Sequence, residues 1–187
     1  MLFKNGDIFI DGAFARGGFR VDNGRFSEVF FGDTDEPGVE LGGKCVIPGL
    51  IDIHTHGNSN EDFSDGSYDG LVKMAEYLAL NGITSFAPAS MTLPYERLEV
   101  AYRNAARLHR ERPAGCARLE GINMEGPFFS EKKKGAQNAK YLMPPDIGAF
   151  MRLNEAAEGL IRIVDIAPEL PGAAEFTKKA REFCTVS

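Results

Sequence analysis

The sequence predicts an α/β chain in which a small antiparallel β piece (residues 1–44) precedes alternating strands and helices (residues 45–187). Three observations predict it. The first 44 residues carry short alternating apolar–polar runs separated by Asn-Gly, Asp-Gly and Gly-Gly pairs, the pattern of tight antiparallel hairpins. From Lys44 on, strand-length apolar runs alternate with segments whose apolar residues recur at helical spacing, which implies a parallel sheet with helices outside it. And the first of those runs, with Val46, Ile47, Leu50, Ile51 and Ile53, reads as a near-continuously buried strand of such a sheet.

In the leading piece, Asp7–Ile10, Phe19–Val21 and Phe26–Phe30 are the runs. Asn5-Gly6, Asp11-Gly12, Gly17-Gly18 and Asn23-Gly24 are the candidate turns, because these residues tolerate positive φ. The piece is too short to close a core alone. Gly32 to Gly43, with Pro37, reads as a linker or loop.

Strand one is expected over 45–54. Leu71, Met74, Ala75, Leu78 and Ala79 predict a helix over 68–80, ended by Asn81-Gly82. Ile83–Ala87 is strand two. A helix over 94–111 follows, with Thr92 as its candidate N-cap and Leu98, Tyr102, Ala105 and Leu108 as its apolar stripe. Strand three is expected over 118–124. Pro144-Pro145-Asp146 opens a helix over 145–158. Strand four is 161–167, helix four 172–183, and Cys184–Ser187 begins a fifth strand. Four such repeats fit a doubly wound sheet or an eight-stranded barrel. No GxGxxG follows the first strand, so the dinucleotide version lacks support. A full barrel takes about 250 residues, so residues 44–187 read as little more than half of one.

The totals exclude some functions. A net charge of -6 argues against a general nucleic-acid surface. No run of 18 apolar residues is present to span a membrane, and the N-terminus lacks the apolar core of a secretory signal. Cys45, Cys116 and Cys184 are scattered and never CxxC, which favours reduced thiols in a cytoplasmic protein.

Chemistry concentrates at two strand ends. Asp52, His54 and His56 fall on one side of strand one, because side chains alternate. The histidine pair closes the strand and meets a loop, Gly57 to Asn60. Two imidazoles so placed can grip one divalent cation; the alternative is a pair bonded to nearby carbonyls. Glu125 ends strand three before Gly126-Pro127. If the sheet curls, Glu125 shares a rim with His54 and His56, a donor set suited to zinc or another first-row metal. The alternative is a carboxylate that caps a turn. Lys132-Lys133-Lys134 reads as a solvated loop or as a loop near an anionic substrate. His109, beside Arg107 and Arg110, reads as a surface residue near a helix C-terminus.

These residues resemble a known family. PGLIDIHTHG at 48–57 is similar to the first barrel strand of the amidohydrolase superfamily. GINMEGPFFSEKKKGAQNAKYL at 121–142 resembles the glutamate motif and following loop of N-acetylglucosamine-6-phosphate deacetylases. GITSFAPASMT at 82–92 and VDIAPELPG at 164–172 are similar to that family's second and fourth strands. The likeness runs in register from about residue 3 to the end.

The resemblance implies the first four βα units of a (β/α)8 TIM barrel over 45–187, beside the N-terminal part of a small β-sandwich over 1–44. It implies metal-dependent removal of acetate from N-acetylglucosamine 6-phosphate, in amino-sugar catabolism, by a homodimer. Glu125 matches the metal-binding glutamate, and His54 and His56 match the HxH of members that hold a second metal. Zinc is the expected ion, with iron, manganese or cobalt as alternatives. Ala136 and Gln137 fall where the family contacts the sugar, although histidine is common at the second place. Two further histidine ligands and an aspartate general acid/base would lie past Ser187, so the chain is expected to be truncated and inactive alone. The rivals are an amidohydrolase acting on a cyclic amide and a non-catalytic half-barrel that serves as an assembly module.

Overall fold

The computed structural model describes residues 1–187 and divides them into two compact units, Met1–Pro48 and Gly49–Ser187.

In the first unit, β1 (Leu2–Ile10), β2 (Ala13–Asp22) and β3 (Arg25–Phe31) form an antiparallel meander. The expected turns at Asp11-Gly12 and Asn23-Gly24 join them, with all four residues at positive φ. The other two pairs are not turns. Asn5, at φ 57, sits inside β1, where the register with β2 shifts between Phe3 and Gly6. Gly17-Gly18 lies inside β2, where a Cβ on Gly17 would come within 2.1 Å of the Phe30 carbonyl. Gly17-Gly18 serves close strand approach and Gly6 leaves room for Leu41 and the Lys44 carbonyl, uses that glycine also permits. Nor is 32–43 a plain linker: β4 (Val39–Glu40) pairs parallel to β1, as does β5 (Cys45–Val46).

The strand expected over 45–54 is therefore in two parts. Pro48, which has no N–H to give a ladder, lies between β5 and β6 (Leu50–Thr55), which begins the second unit. There a short hairpin, β7 (Gly57–Asn58) with β8 (Glu61–Asp62), leads to α1 (Tyr68–Leu80). Next come β9 (Ile83–Pro88), α2 (Tyr95–Glu111), β10 (Arg118–Leu119), β11 (Ile122–Glu125), α3 (Ile147–Ala156), β12 (Ile161–Asp165), α4 (Ala173–Ala180) and β13 (Thr185–Val186). β6, β9 and β10 pair in parallel, as do β11, β12 and β13. A parallel bridge between Ala89 and Asn123 joins the two sets. Strand three is thus two pieces: β10 serves β9, and after Gly121 the chain steps over to serve β12.

Local rules explain two of the four helix starts. Ser67 and Asp146 cap α1 and α3 by accepting from Gly70 N and Ala149 N. Thr92 does not cap α2. Pro94 takes that place, while the Thr92 N–H donates to Gln137 Oε1 at 2.6 Å. The apolar stripes of the helices meet the sheet in one core, where Met74, Tyr102, Phe128, Phe150 and Ile161 are fully buried. No helix is long and apolar enough to cross a membrane.

One expectation fails clearly. Strand one is not buried on both faces: Ile51 is 70 % exposed and Ile53 59 %. β6 has a strand partner on one side only, and solvent lies over these side chains. Apolar character alone cannot tell a covered face from an open one.

Truncating two isoleucines should separate these environments. Ile161→Ala, in the core, should cost about 2–5 kcal/mol through lost contacts and a cavity. Ile51→Ala should stay within about 0.5 kcal/mol. Urea unfolding of both variants measures the contrast, and equal losses would contradict the packing described.

Candidate metal centre

The site begins with strand alternation. β6 delivers His54 and, one residue beyond its end, His56 to the same side, while β11 delivers Glu125 at its last position. β9 lies between them and sets their spacing. His56 Nε2 lies 2.9 Å and His54 Nε2 3.2 Å from Glu125 Oε2. One ligand atom from each of the three residues lies within 4.8 Å of the others. All three side chains reach solvent in part, His54 the most at 46 % and Glu125 the least at 22 %.

Glu125 Oε2 is nevertheless buried and receives no well-aligned hydrogen bond. The two imidazoles approach it without pointing an N–H at it correctly. A buried carboxylate oxygen without a well-aligned donor is costly, and a cation among the three atoms would remove the cost. Two imidazoles and a carboxylate form the donor set that zinc and its first-row neighbours accept.

The outer nitrogens of the two histidines are also held. His56 Nδ1 lies 3.0 Å from the Ala89 carbonyl, so the pair does engage a nearby carbonyl while still presenting Nε2 to the site. His54 Nδ1 lies 3.1 Å from Asn123 Nδ2. Asn123 sits two residues before Glu125 on the same face and is 3 % exposed.

Behind Glu125 the chain turns sharply through Gly126, at φ 86, where a Cβ would fall 2.2 Å from Thr92 Oγ1. Only glycine fits both the angle and the space. The loop beyond forms one wall of an open cleft of about 590 Å³, which reaches His56 and Glu125 and is lined also by Lys133, Ala136 and Gln137. Gln137 is 4 % exposed, and both ends of its amide are engaged: Oε1 accepts from Thr92 N, and Nε2 lies 3.8 Å from Met91 Sδ. Lys134 donates to the Gln137 carbonyl at 2.8 Å, so this lysine braces the wall, which solvation alone does not describe. His109 is half-buried on α2, its Nδ1 2.7 Å from the Leu119 carbonyl, and belongs to the packing around β10.

Two polar groups at this centre escape sequence reasoning. Asn123 is one. Asp165 is the other: it pairs in register with Glu125 across β11 and β12. Burial raises its carboxyl above the ordinary value, a hydrogen bond with Ser187 and the nearby His54 oppose this, and Glu125 adds to the rise. The signal available for both is a polar residue at an inward position of an otherwise apolar strand.

No family model matches the chain. N-acetylglucosamine-6-phosphate deacetylase of Bacillus subtilis is 32% identical over 176 residues, 90% of this chain and 44% of that protein. N-acetylgalactosamine-6-phosphate deacetylase of Escherichia coli O157:H7 is 29% identical over 144 residues, 76% of this chain and 38% of that protein. The crystal structure of N-acetyl-D-glucosamine-6-phosphate deacetylase from Mycobacterium smegmatis matches with a TM-score of 0.88 at 26% identity, over 100% of this chain and 50% of that one. The chain spans about half the length of the relatives it matches.

Zinc at 100 times its Kd should stabilise the chain by about 2.7 kcal/mol. Glu125→Gln should weaken zinc binding at least about 10-fold and shrink that gain. Thermal melts with and without zinc read both; an equal gain in the variant would remove Glu125 from the centre.

Proposed function

We propose that this chain, related in sequence and fold to N-acetylglucosamine-6-phosphate deacetylases over nearly its whole length, supplies the metal-holding part of a hydrolase that removes acetate from an N-acetylated amino-sugar phosphate. The observation that carries the reading is the convergence of His54 Nε2 and His56 Nε2 on Glu125 Oε2, a buried oxygen that accepts no well-aligned hydrogen bond from either ring. The parallel strands, laid side by side in chain order and bridged at Ala89 and Asn123, support reading them as one arc of a (β/α)8 barrel. Zinc is the ion we assign, with iron, manganese and cobalt chemically close.

His54, His56 and Glu125 would hold the ion at the strands' C-terminal ends, where a barrel's chemistry sits. When bound, such an ion acidifies a water and polarises an amide carbonyl. Glu125, spent on the ion, is not free to move the proton of that water. The Ala136–Gln137 edge of the cleft is the proposed seat of the sugar, and its position there is compatible with the engaged Gln137 amide if main-chain groups make the contact. Lys133, on the same wall, offers positive charge to a phosphorylated substrate.

Calorimetry with the zinc-loaded chain tests the proposal. N-acetylglucosamine 6-phosphate should bind, and binding should be lost with Glu125→Gln or a chelator. Acetate release should run about 10²–10⁴-fold below that of a site with a free acid/base group. Binding of a cyclic amide in place of the sugar phosphate, or of neither, would overturn the assignment.

A further inference from the structure

The two histidines of the pair are not chemically equal, and the difference is set outside the ion's reach. His56 Nδ1 faces the Ala89 carbonyl at 3.0 Å. A carbonyl only accepts, so Nδ1 carries the hydrogen and Nε2 offers its lone pair to the site. His109 is in the same state, its Nδ1 facing the Leu119 carbonyl. His54 is reversed. Its Nδ1 faces Asn123 Nδ2 at 3.1 Å, and an amide NH₂ only donates. The hydrogen of a neutral His54 ring therefore sits on Nε2, the atom that should hold the ion.

Asn123 is itself held in this sense. Its Nδ2 also donates to the Ile53 carbonyl at 3.2 Å. Its Oδ1 is buried and has no partner. Turning the amide over would aim Oδ1 at His54 Nδ1, so that Nδ1 could carry the hydrogen and Nε2 could accept an ion. The same turn would forfeit the bond to Ile53 and set two oxygens face to face. A ligating histidine ordinarily donates its outer N–H to an acceptor that fixes its ring state. Here the residue in that place presents a donor instead.

We infer that Asn123 is a positioning residue that holds His54 in the Nε2–H state, so that His56 and Glu125 take up the ion first and His54 joins only when the Asn123 amide turns over. The metal-loading half rests on the function proposed above; the ring states of the metal-free chain do not.

Long-range ¹⁵N–¹H correlation spectra of the histidine rings test it, on the full chain at about pH 8.5, above the ordinary imidazole range. In the metal-free chain, His56 and His109 should be Nδ1–H and His54 alone Nε2–H. Adding zinc should move the His54 hydrogen to Nδ1. Asn123→Asp, which leaves only acceptors beside His54, should make all three rings Nδ1–H without metal and raise zinc affinity about 10-fold or more. A metal-free His54 already in the Nδ1–H state would overturn the inference. So would a tighter Asn123→Asp variant whose His54 stays Nε2–H, since added charge alone would then explain the gain. The wild-type spectra decide the ring states even if the variant fails to fold, and they do so even if the chain releases no acetate.

Discussion

The main chain at Ala89 and Ser90 is the tie on which the centre depends. Glu125 and the histidine pair come from strands that do not touch each other along their ladders. Ala89 N donates to the Thr55 carbonyl at 2.8 Å, its own carbonyl faces His56, and Ser90 N donates to the Asn123 carbonyl at 3.1 Å. Three adjacent main-chain groups thus fix the end of β6, the ring of His56 and the register of β11. Ala89 is fully buried between its neighbours, so a bulkier side chain would have to push β6 and β11 apart. Because three donors must meet within a few ångströms, a displacement of 1 Å there would spoil the centre more than a lost surface contact anywhere else.

Much of this was legible in the residues because the relevant rules are local. Alternation put His54 and His56 on one side, and a carboxylate before Gly-Pro marked a strand end, and these side chains do meet. Asp11-Gly12 and Asn23-Gly24 turned the chain where their φ preference says they should. What was not legible depended on distant partners. Thr92 looks like a cap, but Gln137, far along the chain, takes its N–H. Ile51 and Ile53 look buried, but burial depends on what lies over a strand, which an apolar run does not record. Asn5-Gly6 and Gly17-Gly18 look like turns, and tight strand pairing uses the same residue types. Asn123 and Asp165 lie inside the family-like stretches 121–142 and 164–172, but nothing in those stretches singles them out, and it is the register of β11 with its neighbours that brings them to the site.

The cleft wall shows how packing and chemistry constrain one another. Gly126 permits the turn after Glu125 and leaves room for Thr92. The Thr92 main chain then holds Gln137, and Lys134 holds the carbonyl of Gln137 in turn. The wall is therefore braced in part from the Met91–Thr92 segment that follows β9. A change at Gln137 would act through the path of the Met91–Thr92 segment as well as through any direct contact with a ligand, so a shift in binding alone would not separate the two roles.

The centre also runs against stability, which is what a binding site built in advance should do. Glu125 and Asp165 stand side by side in register, and burial together with the Glu125 charge keeps the Asp165 carboxyl above its ordinary range. Beside them Glu125 Oε2 and Asn123 Oδ1 are both buried without partners. Each such group costs about 1–3 kcal/mol in a folded protein. A core assembled for stability alone would place apolar side chains at these inward positions, as it does at Met124 and Val164 on the opposite face of the same strands. Two crowded carboxylates and an unpaired amide oxygen at the end of a sheet are instead the pattern that positive charge relieves, and local rules are expected to fail at functional centres. The crowding of carboxylates around two imidazole nitrogens thus argues for a cation together with the histidine spacing.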